Sequence, residues 1–151
     1  MEQKTYKYQK QIDELLALGY QLPMLYAPEN TSAYRFAFSD TNRQNHIPQY
    51  FVNPKRMLRD VIEGKASTSL LALSCFSTSA KAENFFSNLQ KAFKNIANTI
   101  GDSLSEGTLS NNDGMKTTTA DNGHFDFYEF LGCDLNNSFV ITKQLIDNGK
   151  D

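Results

Sequence analysis

The sequence predicts a single α+β domain spanning residues 1–151: a mixed or mainly antiparallel sheet with a long amphipathic helix, about residues 79–100, packed on one face. Three observations carry that expectation. The run Leu70-Leu71-Ala72-Leu73-Ser74-Cys75-Phe76 is continuously apolar but too short for a second helix, which fits a strand covered on both sides. Directly after it, Ala82, Phe85, Phe86, Leu89, Ala92, Phe93, Ile96, Ala97 and Ile100 recur at the spacing of one helix face, with Ser77 to Ser79 as capping hydroxyls and Gly101 as a stop. Two further stretches, Tyr34 to Phe38 and His124 to Leu131, alternate with the period of a strand.

Taken in order, Lys4 to Leu18 reads as an amphipathic helix stopped by Gly19, with Lys4, Lys7 and Lys10 on a solvated face. Pro23 and Pro28 bracket a short extended piece. Tyr34, Phe36 and Phe38 then share one strand face, leaving Arg35 and Ala37 on the other. Residues 41–49 are polar and asparagine-rich, a loop in which His46 is expected to be an exposed bystander. Tyr50-Phe51-Val52 suggests a short strand, and Asn53-Pro54 a capped helix running to Gly64. Beyond the long helix, Asp102 to Ser110 shows little periodicity, and residues 110–123 read as a mobile loop opened by the turn signal Asn111-Asn112-Asp113-Gly114. Phe139 to Thr142 closes the sheet.

Composition narrows the function classes. A chain of 151 residues with 40% hydrophobic content needs no disulfide staples, and Cys75 and Cys133 suit a reducing compartment. A net charge of −2 and a pI near 5.7 disfavour nucleic acid as a partner. No segment is long enough to span a bilayer and Met1 to Lys10 has no apolar signal core, so a cytoplasmic location without membrane association is expected. No pair of cysteines or histidines has metal-site spacing, and the dispersed glycines form no phosphate loop.

The His124 strand is the most informative about chemistry. His124, Asp126, Tyr128 and Phe130 lie on one face; Phe125, Phe127, Glu129 and Leu131 lie on the other, so Glu129 falls among apolar neighbours. A carboxylate there either occupies a cleft with a shifted pKa or sits at a sheet rim paired with a lysine. Together with Ala33-Tyr34-Arg35-Phe36, the string Ser67-Thr68-Ser69 and the serine-rich strand end at Ser77, this resembles the arginine, serine and glutamate arrangement of ADP-ribosyltransferase-like folds. The resemblance implies NAD as substrate, transferred or hydrolysed, with Glu129, Arg35 and Ser77 catalytic and with Arg35, Ser69, Tyr128 and His124 contacting the nucleotide. A fixed carboxylate would stabilise positive charge where the glycosidic bond breaks, and a guanidinium would hold a phosphate.

Two other readings stay open. The aromatic cluster Phe125, Phe127, Tyr128 and Phe130 suits a protein partner, as in a non-catalytic module of antitoxin, immunity or accessory type. Asn122-Gly123-His124-Phe125 is similar to the histidine strand of papain-like amidases and peptidases, with Cys75 as the nucleophile.

Overall fold

The computed structural model describes residues 4–40 and 42–146; residues 1–3, Thr41 and residues 147–151 of the expected single domain lie outside the description. Among the described residues, seven helical segments fold against a six-stranded antiparallel sheet of order β4-β5-β2-β1-β3-β6, so the expected α+β class holds. The strands are β1 (Thr31–Ala37), β2 (Leu73–Phe76), β3 (Ser103–Leu109), β4 (Gly114–Lys116), β5 (His124–Glu129) and β6 (Val140–Gln144). The α-helices are α1 (Gln9–Ala17), α2 (Gln49–Val52), α3 (Pro54–Ile62), α4 (Ser79–Ala92), α5 (Ala97–Ile100) and α6 (Leu135–Ser138), with a 3₁₀ turn at Thr68–Leu71.

The two sheet faces are covered by different elements. Ala33, Leu73, Cys75, Leu109, Phe125 and Phe127 form one core with Cys133, Leu135 and Phe139, which fold over from the segment around α6. On the opposite face, Phe76 and Leu104 meet Ala82 of α4, with Phe36 and Phe85 packed alongside. A third cluster lies at one end of the sheet, where Ile12 and Leu15 of α1 pack on Leu71 beside Tyr50 and Val61.

Several elements differ from expectation. The long helix stops at Ala92, where Phe93 turns extended at φ −135° and ψ 100° and stands exposed. Only its first half has a sheet to cover, through Ala82 and Phe86, and the chain must then turn back into β3. The first helix starts at Gln9, because residues 5–7 extend alongside the end of β5: the Lys7 amide donates to the Glu129 carbonyl at 2.9 Å and Leu131 N–H to the Thr5 carbonyl at 2.8 Å. Tyr50 to Val52 is helical, entered through Pro48. The apolar run of residues 70–76 begins as a 3₁₀ turn and becomes a strand only at Leu73.

The aperiodic segment of residues 102–110 is a central strand, paired with β1 from Thr31–Leu109 to Ala37–Ser103 and with β6 on its other edge. Its small residues have a packing reason: a Cβ at Gly107 would stand 2.3 Å from the Phe139 ring. The expected loop of residues 110–123 contains β4, bonded to β5 on one side and to Tyr26 on the other. The Asn53 cap of α3 forms as expected, its side chain accepting from Arg56 N–H at 3.3 Å.

Gly101 is where α5 turns into β3. It holds φ +125°, and a Cβ would lie 2.4 Å from the Ala37 backbone oxygen. Gly101→Ala is expected to lower the unfolding free energy in urea by about 2 kcal/mol or more, since both the dihedral and the close backbone oppose a side chain; an unchanged midpoint would contradict this packing.

Candidate functional site

Alternation along β1 and β5 brings Arg35 and Glu129 to the same sheet face, the one holding Cys75, Phe125 and Phe127. Both are buried, at 8% and 4% exposure. Strands β1 and β2 are registered at Tyr34–Phe76, and beyond that pair the Arg35 side chain reaches across the opening between them. One guanidinium nitrogen donates to the Ser74 carbonyl, and Nε–H donates to Nδ1 of His46 at 2.9 Å.

His46 is therefore no exposed bystander. Asn45 clamps the loop onto β1, accepting from Phe38 N–H at 2.7 Å and donating to its carbonyl at 3.1 Å. His46, at φ 60°, is thereby swung under the sheet, edge-on to Phe139 at 5.4 Å. Burial, reinforced by the Arg35 charge, depresses its pKa from 6.5 to about 3. The imidazole is neutral, with Nδ1 as the acceptor.

Glu129 combines parts of its two expected settings: it is paired with a lysine, but in the core and not at a sheet rim. Lys7 donates to its Oε2 at 2.7 Å, with Lys7 a quarter exposed and Glu129 sealed. Burial holds the Glu129 carboxyl above its ordinary range, against the pull of the Lys7 bond and of the Arg35 charge. Among the described residues its Oε1 has no conventional hydrogen-bond donor, and the Cys133 thiol lies beside it, pushed up to about 12 by burial and then by the Glu129 charge. Lys7 and His46, the partners that define this buried group, escaped sequence reasoning. By its spacing Lys7 reads as part of a solvated helix face, and neither residue carries a spacing signal toward its partner.

The other expected site residues do not join Arg35 and Glu129. His124 and Tyr128 lie on the opposite face, and Tyr128 is fully buried, edge-on to Tyr6 at 6.4 Å. Ser69 sits in the 3₁₀ turn with its hydroxyl on Ser67 Oγ at 3.0 Å. Ser77 is half-buried just past β2, its N–H on the Gly123 carbonyl at 2.9 Å. Cys75 and His124 also face opposite ways. Cys75 is registered with Phe125 and buried, its thiol pushed up to about 11, whereas His124 meets Ser74, Nε2 to Oγ at 2.6 Å. Both cysteines are free thiols.

Two surface cavities lie elsewhere. One, of about 540 Å³, is lined by the polar loop around Ser39, Asp40, Arg43 and Asn45 with Asn136 and Ile141. The other, of about 600 Å³, lies between α1 and α3 and is apolar, formed by Leu15, Leu18, Tyr50, Met57, Leu58 and Val61. Neither touches Arg35 or Glu129. In comparisons with known proteins, no family model, no curated protein and no solved structure matches the chain. Among the described residues no helix is long and apolar enough to cross a membrane.

The His46 environment sets a pH dependence. Its pKa is about 3 in the fold against 6.5 when free, so the unfolded chain binds its proton first as pH falls. The stability from neutral His46 is complete above pH 6.5 and is lost progressively toward pH 3. His46→Asn keeps a small side chain tolerant of positive φ and an acceptor for Arg35. Between about pH 7 and about pH 5, wild type should lose about 2 kcal/mol more than this variant in urea unfolding. Parallel pH profiles would show that His46 is not held neutral.

Proposed function

We propose that this chain is a protein-binding module whose docking surface is the apolar groove between α1 and α3. The groove itself carries the reading: about 600 Å³ of cavity lined almost wholly by aliphatic and aromatic side chains. Its lining residues Leu18 and Leu58 are 63% and 64% exposed, and Ile62, 76% exposed, extends the apolar surface beyond it. Leu58 and Ile62 stand one helical turn apart on α3, so the apolar surface continues along that helix. Covering each such side chain contributes about 1.5–3 kcal/mol, enough for a few of them to drive association.

The occupant that fits is an amphipathic helix from an acidic protein partner, laid along the groove on leucine-type anchors. The α3 side supplies the charge argument. Lys55, Arg56 and Arg59 are all exposed there, against Asp60, 3.8 Å from Arg56, and Glu63 at the helix end, paired with Lys65, while Glu14 on the α1 side is the charged residue of the lining. Flanking glutamates on the partner helix would meet this basic edge, favouring orientation and encounter.

The nucleotide-handling alternative draws support from Arg35 and Glu129 sharing a face. Their buried contacts with His46, the Ser74 carbonyl and Lys7 weigh against it, because an NAD phosphate and ribose would have to displace all of these. Cysteine chemistry has less support, with Cys75 facing away from His124.

The test uses a synthetic amphipathic helix with leucines at i, i+3, i+4 and i+7, flanked either by glutamates or by lysines. Fluorescence anisotropy should show tighter binding of the glutamate-flanked peptide to the full chain, with Leu58→Asp abolishing it. Equal affinity for both peptides, or binding that survives Leu58→Asp, would overturn the reading. Thermal stabilisation by NAD that disappears in Glu129→Gln would replace it with the nucleotide one.

A further inference from the structure

The two edges of the sheet are finished differently. At the β4 edge the main chain is closed off, because Tyr26 N–H donates to the Lys116 carbonyl at 2.8 Å and Lys116 N–H to the Tyr26 carbonyl at 2.9 Å. The β6 edge has no such cover. Among the described residues, β3 is the only strand that pairs with β6, and all five residues of Val140–Gln144 are exposed. An uncovered edge offers a row of main-chain donors and acceptors to an extended chain that comes alongside.

The usual guards of an edge are diverted here. A lysine on an edge strand keeps other strands away, but Lys143 is registered with Leu104, on the face covered by α4, and bonds Glu83 of that helix. The register of β6 on β3 shifts between Leu104 and Ser105, which turns Ile141 to the other face, beside Ser105 and Arg35. There Ile141 lines the polar-loop cavity of about 540 Å³. The open edge and the cavity meet at this residue.

We infer that β6 is a docking edge for an extended segment of a partner protein, which adds a further strand to the sheet and sets a glutamate side chain into this cavity. Main-chain pairing supplies the affinity and the cavity the selectivity, as in other cases of strand addition. A strand paired to β6 runs about 4.8 Å from it, so a side chain beside Ile141 on that face projects at the cavity mouth. The site lies apart from the α1–α3 groove and shares no lining residue with it.

Charge complementarity selects the glutamate. The cavity wall holds one cation, Arg43, and one acid, Asp40. The Arg43 guanidinium lies over the Phe38 ring, 3.8 Å from its centroid, and donates to the Asn98 carbonyl at 3.2 Å. Among the described residues no carboxylate stands within ion-pair distance of Arg43, and its fork keeps further N–H donors for one. A guanidinium already stacked on a ring gives up little freedom on meeting a carboxylate. Asp40 is engaged within its own loop, its carboxylate accepting from Asn42 N–H at 2.9 Å. Phe38, Ile47 and Ile141 supply apolar wall for the glutamate methylenes, and the Asn45 clamp on Phe38 holds the loop against β1.

The probe is a short peptide of alternating threonine and valine with a central glutamate and blocked ends, compared with its central-lysine counterpart and with a form N-methylated along the backbone. Fluorescence anisotropy with the full chain should show the glutamate peptide binding about tenfold or more tightly than the lysine one, and the N-methylated form not binding. Arg43→Gln should remove the preference for glutamate while keeping pairing through the backbone. In NMR hydrogen exchange, the glutamate peptide should slow the amides of β6. No binding of the glutamate peptide, equal affinity for glutamate and lysine, a preference that survives Arg43→Gln, binding of the N-methylated form, or unchanged exchange in β6 would each overturn the assignment. So would protection of β6 amides that rises with protein concentration alone, since a second copy of the chain would then occupy the edge.

Discussion

Much of this structure depends on one guanidinium. The sheet has two halves, β4-β5-β2 and β1-β3-β6, and the seam between them is the shortest in the fold, registered at Tyr34–Phe76. Where the strand ladder opens, Arg35 bridges it, satisfying the Ser74 carbonyl that a neighbouring strand would otherwise bond. A buried cation must find acceptors, and the loop that delivers His46 is shaped to supply one. The conformations of Asn45 and His46 and the neutral state of the imidazole follow from that requirement.

The same physics accounts for the N-terminal segment. Glu129 projects into the apolar face, where an isolated carboxylate would be costly, and Lys7 is brought to it by the extended run of residues 5–7 alongside β5. A residue pair of opposite charge thus ties the start of the chain to the far end of a late strand. Arg35 and Glu129 thus both make buried contacts that fasten the interior. The accessible apolar surface lies elsewhere, in the groove between α1 and α3, on elements that leave side chains free of the core.

The fold class, the β1 and β5 strands, the capped α3 helix and the core-side placement of Glu129 on its strand were legible because each rests on local periodicity or a capping residue, whereas alternation left open whether Glu129 is buried or at a rim. The central strand β3 was not, since its Ser103, Ser105 and Gly107 are small for a tertiary reason: Phe139 must lie against them. The end of α4 was hidden because its apolar spacing continues past Ala92, where the sheet beneath it runs out. In the candidate site the face shared by Arg35 and Glu129 could be read from alternation, but their partners could not. Lys7 lies 122 residues from Glu129 and His46 sits in a polar loop, and no local pattern encodes such a contact. His124 was singled out with the wrong partner, because Cys75 and Ser74 are adjacent in sequence and only the register decides which of them faces it.

The central claim is that Arg35 belongs to the framework and is not reserved for a ligand. Urea unfolding of Arg35→Leu at neutral pH tests it most directly. A framework role predicts a loss of about 3 kcal/mol or more, because the Ser74 carbonyl and the His46 imidazole are left buried without their donor. A variant as stable as wild type, or more stable, would contradict it, that being the behaviour of a charged residue kept in place for binding or catalysis at the expense of the fold.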